Sequence, residues 1–273
     1  MKKSFFLLSL FFVSQLQAQD ASQDEKVDPV AVLIFDKMSD LIGDLESCSF
    51  QVSNRHDVED PDHGWITVHS ESTIIFDGPN RMHLDKSGEN GKEGFWYNGE
   101  EVSYYSYDEN NFVRIPAPET TLATIDTLNM KYGTEIPAAD FFYPAFTDDL
   151  LQAFPSIVYL GKKSVDGEDC FHIKASNDEM VAQFWISDKV YKLPVRYNIV
   201  YKKKSNMQYE SHFSNWELNP VIPPSVFEFM PPKNAKPIKI LCLLYTSPSP
   251  RDWIWHLVCR LLRENGGGGG GGG

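Results

Sequence analysis

Residues 95–107 read FWYNGEEVSYYSY: Phe95-Trp96-Tyr97, then Asn98-Gly99, then Glu100 through Tyr107. Asn and Gly both tolerate the left-handed backbone of a tight reversal, and the flanking aromatic and β-branched runs suit strands, so this stretch predicts a β-hairpin. Working outward, the same period of two recurs. On the N-terminal side, from Ser47 onward, Ile66, Val68, Ile74 and Phe76 alternate with Thr67, His69, Thr73 and Ile75. Turn signals follow at Asp77-Gly78-Pro79-Asn80, at Ser87-Gly88 and at Asp108 to Asn111. This half therefore predicts an antiparallel meander of about six strands. On the C-terminal side, strands resume as SIVYLGKKSV, EDCFHIKAS, VAQFWIS, LPVRYNIVYKKK and MQYESHFSNWEL, with Asp166-Gly167 as the first turn. Val195, Tyr197, Ile199 and Tyr201 alternate there with Arg196, Asn198, Val200 and Lys202. The proline-bracketed PPSVFEFMPP predicts a short closing edge strand, with Phe227 and Phe229 on the same apolar face as a buried Trp216.

Two segments break the alternation. Asp28-Pro29 combines a side-chain cap with a ring suited to a first helical turn, and Val30, Ile34, Met38, Leu41 and Leu45 follow at helical spacing. Residues 116–154 form an insert: Leu122, Ile125, Leu128 and Tyr132 make a helical stripe ended by Gly133, and PAADFFYP and a Thr147-capped TDDLLQAF complete it. A sheet this large coils rather than staying flat. The expected fold is β-rich α+β: a large curved antiparallel sheet forming an incomplete β-barrel, with the N-terminal helix and the helical insert plugging its concave side. One domain over residues 28–240 accommodates all of it.

Both ends of the chain read differently. Lys2 and Lys3 precede the nine-residue apolar run Phe5 to Val13, and Ser14 to Ala18 end on a small residue. That is the grammar of a secretory signal, with cleavage expected after Ala18, residues 19–27 as a flexible mature N-terminus and a periplasmic destination. The apolar run is too short for a stable membrane anchor. At the other end, Cys242 to Asp252 (CLLYTSPSPRD) reads as translated sequencing adapter, His256 to Leu262 as its continuation, and eight glycines follow. Residues 241–273 are accordingly expected to be an artefactual disordered tail. Residues 19–240 carry 20 Lys and Arg against 36 Asp and Glu, a net charge of −16. Such an acidic body repels phosphate backbones and anionic headgroups, so nucleic acid and electrostatic membrane docking are both disfavoured.

Chemistry-bearing residues are sparse. The segment His56 to His63 gathers four acids and two histidines, but Pro61 and Gly64 mark a turn and no zinc spacing is present, so a solvated hairpin tip is the expectation and no metal is called. His69 and His83 sit in alternating strands as sheet residues, and Lys202-Lys203-Lys204 reads as a strand end. No nucleophile elbow, HExxH or phosphate loop occurs, so no catalytic residues and no cofactor are called and the chain is read as a non-enzyme. Cys48 shares a strand face with Phe50 and Val52, whereas Cys170 shares one with His172 and Lys174. The alternation thus favours two buried thiols over a disulfide, without closing the question. The densest apolar cluster is Phe141, Phe142, Tyr143, Phe146, Leu150, Leu151 and Phe154. It is either the core packing of a helical plug or the wall of a ligand site, since such sites are mostly apolar.

The order of these elements resembles the LolA/LolB-like superfamily of periplasmic lipoprotein carriers, and within it a family of predicted periplasmic proteins of unknown function. The resemblance rests on Pro29-Val30-Ala31 with Met38 and Leu41, Tyr97-Asn98-Gly99, Ile136 to Asp140 with Tyr143-Pro144, and Tyr159-Leu160-Gly161. It continues through Val165-Asp166-Gly167 with Cys170 and His172, Asn215-Trp216 with Leu218-Asn219-Pro220, and Phe227, Phe229, Pro231-Pro232 and Ala235. The superfamily implies a carrier of lipid or acyl chains held between sheet and helices, with the seven-residue cluster as ligand wall. The alternative is a non-catalytic module with a solid core that docks on an envelope protein partner.

Overall fold

The computed structural model describes residues 27–238. Helix α1 (Pro29–Gly43) leads into a six-stranded meander, β1 (Ser47–Asp60), β2 (Gly64–Asp77), β3 (Arg81–Gly88), β4 (Gly91–Tyr97), β5 (Glu101–Ser106) and β6 (Asn111–Pro116). The insert follows: α2 (Thr121–Tyr132), a 3₁₀ turn (Ala139–Phe142) and α3 (Phe146–Ala153). A second meander comprises β7 (Ser156–Val165), β8 (Glu168–Ser176), β9 (Met180–Ser187), β10 (Pro194–Tyr201) and β11 (Met207–Leu218). A second 3₁₀ turn (Pro224–Phe227) and β12 (Lys236–Pro237) close the described chain. All strands join one sheet in the order β12-β6-β5-β4-β3-β2-β1-β11-β10-β9-β8-β7. Its two edges do not meet, so the barrel is incomplete.

The insert carries the chain from β6 near one edge to β7 at the other, from which the second meander returns to pair β11 with β1. The expected hairpin is β4–β5: Gly99 takes φ 99°, and the Asn98 side-chain oxygen accepts from the amides of Glu100 and Glu101. Asp28 caps α1 through its carboxylate, 2.8 Å from the Val30 amide, and Gly133 ends α2 in the left-handed region.

The helices cover one face of the sheet, here called inner. Phe50 and Val52 of β1, Ile74 and Phe76 of β2, Phe184 of β9 and Tyr197 and Ile199 of β10 share a single apolar cluster with Ala31, Ile34, Phe35, Met38 and Ile42 of α1. The stripe of α1 is therefore rotated from the one expected, because Phe35 fills the space against Phe184 (ring centroids 5.1 Å apart) and leaves Val30 in solvent. Thr147 does not cap α3. That helix begins at Phe146 without a side-chain cap, and the Thr147 hydroxyl lies 3.4 Å from Ser39 Oγ on α1.

The ending also differs from expectation. PPSVFEFMPP is a 3₁₀ turn followed by extended chain, and the edge strand is Lys236–Pro237, parallel to β6. Phe227 and Phe229 are buried, but on the outer face, opposite Trp216. Phe229 packs on Trp96, Tyr105 and Phe112, and Arg81 sits over the Phe227 ring. Those partners alternate along β4–β6 with inner-face Phe95, Tyr97 and Tyr104, and hence point the other way. The last twenty described residues form a strap across the outside of the first meander, fastened by Arg114 donating to the Phe229 carbonyl (2.9 Å). Both cysteines are free and buried. Cys48 belongs to the inner cluster, and Cys170 lies outside it.

Candidate functional site

The seven cluster residues all reach the inner-face core, but they divide into two groups. Phe141, Phe146, Leu150 and Phe154 are buried, whereas Phe142, Tyr143 and Leu151 keep part of their surface in water. The buried group is held ring on ring. Phe141 stands 5.1 Å from Phe146 and edge-on to Tyr197 and Phe213, at 5.9 and 5.5 Å. Phe146 in turn meets Phe35 of α1 at 5.9 Å. Such edge-to-face contacts match the positive rim of one ring to the negative face of another.

Of the partly exposed group, Phe142 marks where the insert meets the sheet at one end of the strands, while the Tyr143 hydroxyl donates to Asp126 Oδ1 of α2 (2.9 Å). Phe142 lies 4.5 Å from Phe76 and stacks on Phe50 at 5.8 Å, while Phe50 stacks on Trp216 at 4.1 Å. Phe142, Phe50 and Trp216 thus form a continuous seam from the insert to the end of β11. The seam depends on one backbone feature. Tyr209, Ser211 and Phe213 face inward at alternate positions, and Asn215 then adopts φ 54° while the pairing shifts between Gln51↔Ser214 and Ser49↔Glu217. This bulge inserts one residue, so that Trp216 rather than Asn215 turns inward. The indole is partly buried and donates from Nε1 to the Pro194 carbonyl (3.3 Å). Phe50 and Phe76 were legible as apolar positions of alternating strands, but not as partners of the insert, and Phe213 was not singled out at all.

A polar patch interrupts the inner face away from the seam. Asn54 Oδ1 accepts from the Tyr209 hydroxyl (2.5 Å) and from Ser211 Oγ (2.7 Å), and all three residues are buried. Burial first, and then neighbouring carboxylates and phenols, hold the Tyr197, Tyr201 and Tyr209 hydroxyls well above the ordinary tyrosine range. These phenols are hydrogen-bonding groups at any physiological pH. The inner face is therefore lined by aromatic rings and a few neutral polar groups.

The other singled-out residues lie elsewhere. His63 Nδ1 meets Asp60 at 2.8 Å at the exposed β1–β2 tip, and among the described residues no group of three His, Cys, Asp or Glu side chains could hold a metal ion. His83 stacks on Trp96 of the outer face at 4.9 Å, with Nε2 3.3 Å from Asp85. Lys202, Lys203 and Lys204 form the β10–β11 turn, and His69 is exposed. No helix among the described residues is long and apolar enough to cross a membrane. The expected export signal and the expected artefactual tail from residue 241 lie outside the described residues.

Comparison with known proteins places these observations. Residues 31–241 match the model of a family described as predicted periplasmic protein (DUF2092). No curated protein matches the sequence. Solved structures similar to this chain include the lipoprotein LppX of Mycobacterium tuberculosis, with 13% identity and a TM-score of 0.46, covering 72% of this chain and 99% of that one. LprF of Mycobacterium bovis has 13% identity and a TM-score of 0.43, with coverage of 71% and 96%. A LolA superfamily protein of Nitrosomonas europaea has 11% identity and a TM-score of 0.33, with coverage of 73% and 97%.

Proposed function

This chain belongs to the DUF2092 family of predicted periplasmic proteins, and from that premise we propose that it is a non-catalytic carrier of a lipid or acyl chain, exported by a signal cleaved after Ala18. The observation that carries the reading is the aromatic seam of Phe142, Phe50 and Trp216, partly open to water where the insert meets the sheet. Rings hold that junction together, and a hydrocarbon chain can replace ring contacts with little net change in buried apolar area. The ligand enters at the seam and lies along the inner face, against Phe141, Phe142, Tyr143, Phe146, Leu150, Leu151 and Phe154. The buried half of that set also favours a second reading, a solid-cored module that docks on an envelope protein.

Native mass spectrometry of protein from a heterologous host, with uptake of a fluorescent long-chain amphiphile, separates the two. The carrier reading expects co-purifying lipid and saturable uptake that Phe142→Trp weakens without unfolding the protein. Overpacking of a solid core would instead destabilise that variant by roughly 1–3 kcal/mol. A clean apo mass and no uptake by the wild type would sink the carrier reading.

A further inference from the structure

A polar row crosses the inner face where the apolar cluster ends. Strand pairing sets Ser211 of β11 opposite Asn54 of β1, and Asn54 opposite Ser70, two residues before Ser72 on β2. It then sets Ser72 opposite Lys86 of β3, Lys86 opposite Glu93 of β4, and Glu93 opposite Ser106 of β5. Asn54, Ser72, Lys86 and Glu93 each stand two positions from a core residue on the same strand face, namely Val52, Ile74, Leu84 and Phe95. Phe50 and Phe76, which hold Phe142 at the seam, lie four residues from Asn54 and Ser72, a span of about 13 Å along each strand. An apolar face with a polar row across one end is laid out like an amphiphile.

One member of the row is buried with nothing to bond. Ser72 is 3% exposed, and its hydroxyl has no hydrogen-bond partner among the described residues. A buried hydroxyl normally has one, because stranding it forfeits the bonds it made in water. Across the strand pair, Lys86 Nζ meets Glu93 Oε1 at 3.2 Å, and water reaches both side chains, which are 38% and 30% exposed. This pair sums to zero charge. Burial first, and then the Lys86 ammonium, lower the His56 imidazole, two residues beyond Asn54, so it is mostly uncharged at neutral pH. An anion placed here would meet the Glu93 carboxylate and the −16 charge of residues 19–240, and a cation would meet Lys86. A head without charge meets neither obstacle and can bond the Ser72 hydroxyl.

We propose that this row receives the head of the carried molecule at Ser72, beside the Lys86–Glu93 pair, and that the head is uncharged and bears hydroxyl or ester oxygens. The tail then lies over Ile74 and Leu84 toward the seam, which parts to admit it. The inference rests on the carrier reading and names the kind of head that reading leaves open.

Displacement of a bound pyrene-labelled long-chain alcohol by monododecanoylglycerol and by dodecanoate, each below its micellar range, tests it. Wild type is expected to prefer the glyceride to the carboxylate about tenfold. Ser72→Ala is expected to weaken glyceride binding about fivefold, the worth of one hydrogen bond, and to leave dodecanoate binding as it was. Its unfolding midpoint should equal or exceed that of wild type, because the change removes a stranded donor. A serine that served packing alone would move both ligands or neither. Glu93→Gln leaves Lys86 without its carboxylate and is expected to raise dodecanoate affinity about fivefold. Uptake of the labelled alcohol with glyceride binding unchanged in Ser72→Ala would overturn the head site while the carrier reading stands. So would equal affinity of the wild type for the two competitors, failure of both to displace the probe, or no gain of dodecanoate binding in Glu93→Gln. No uptake of the labelled alcohol by the wild type would end the carrier reading and this inference with it.

Discussion

Asn54→Leu removes the acceptor at the centre of the buried patch while nearly conserving volume. Its oxygen takes two hydrogen bonds, from Tyr209 at 2.5 Å and Ser211 at 2.7 Å. The two hydroxyls also lie 2.6 Å apart, so after the change Tyr209 can donate to Ser211 and the Ser211 donor is stranded. A stranded buried donor costs about 1–3 kcal/mol and a lost neutral hydrogen bond about 1 kcal/mol. The added apolar burial of leucine offsets roughly 1 kcal/mol. The expected loss is therefore about 1–3 kcal/mol, read as a lower urea midpoint at unchanged slope. Adding Tyr209→Phe and Ser211→Ala removes the stranded donor together with its partner hydroxyl and should restore most of the loss, because a group of mutually satisfied partners is strongly non-additive. A triple variant no more stable than Asn54→Leu alone would refute the reasoning, as would a single variant within 0.5 kcal/mol of wild type, roughly the size of a neutral surface change.

Three further outcomes follow from the same packing. Trp216→Ala should cost about 2–4 kcal/mol, below the full value for a buried aromatic because the indole is only partly buried, and an unshifted unfolding midpoint would show that the seam is not structural. Burial pushes the Cys48 thiol up to about 12 and the Cys170 thiol up to about 11. Raised values leave both thiols protonated at pH 8, so a thiol reagent should react only after denaturant is added, and rapid labelling of the native protein would contradict the placement. Deleting residues 241–273 should leave the melting temperature unchanged, and a clear drop would refute the adapter reading.

Much of this fold was legible because alternation reports a local property, the side of a strand on which a residue sits. Tyr197, Ile199 and Tyr201 face inward as their spacing required, and Asp28 and Gly133 bound their helices by chemistry confined to one turn. What failed depended on distant partners. Val30 and Phe35 are both apolar, and the positions of Phe146 and Phe184 decide which of them is buried. Phe227 and Phe229 alternate correctly, but nothing local tells a strap over the outer face from a strand on the inner one. The candidate site was half visible. The insert's aromatics stood out as a cluster, whereas Phe50 and Phe76 became their partners only through the β1–β11 closure. The Asn215 bulge had a faint signal, an asparagine tolerant of positive φ directly before a tryptophan.

The strap and the β1–β11 junction set an order of assembly. β1 must wait for a partner made much later: Ser47 donates to the Pro220 carbonyl across 173 residues of chain. The outer face of the first meander waits longer still, since Asn98 reaches Glu228 across 130 residues and β6 receives Lys236 last of all. Contacts so distant in sequence close slowly, because the intervening loop entropy is spent before they stabilise anything. A chain that lacks its C-terminal part therefore has neither β11 to pair with β1 nor the strap to cover the first meander. The strap, which needs the outer face of β4–β6 beneath it, is the final stitch.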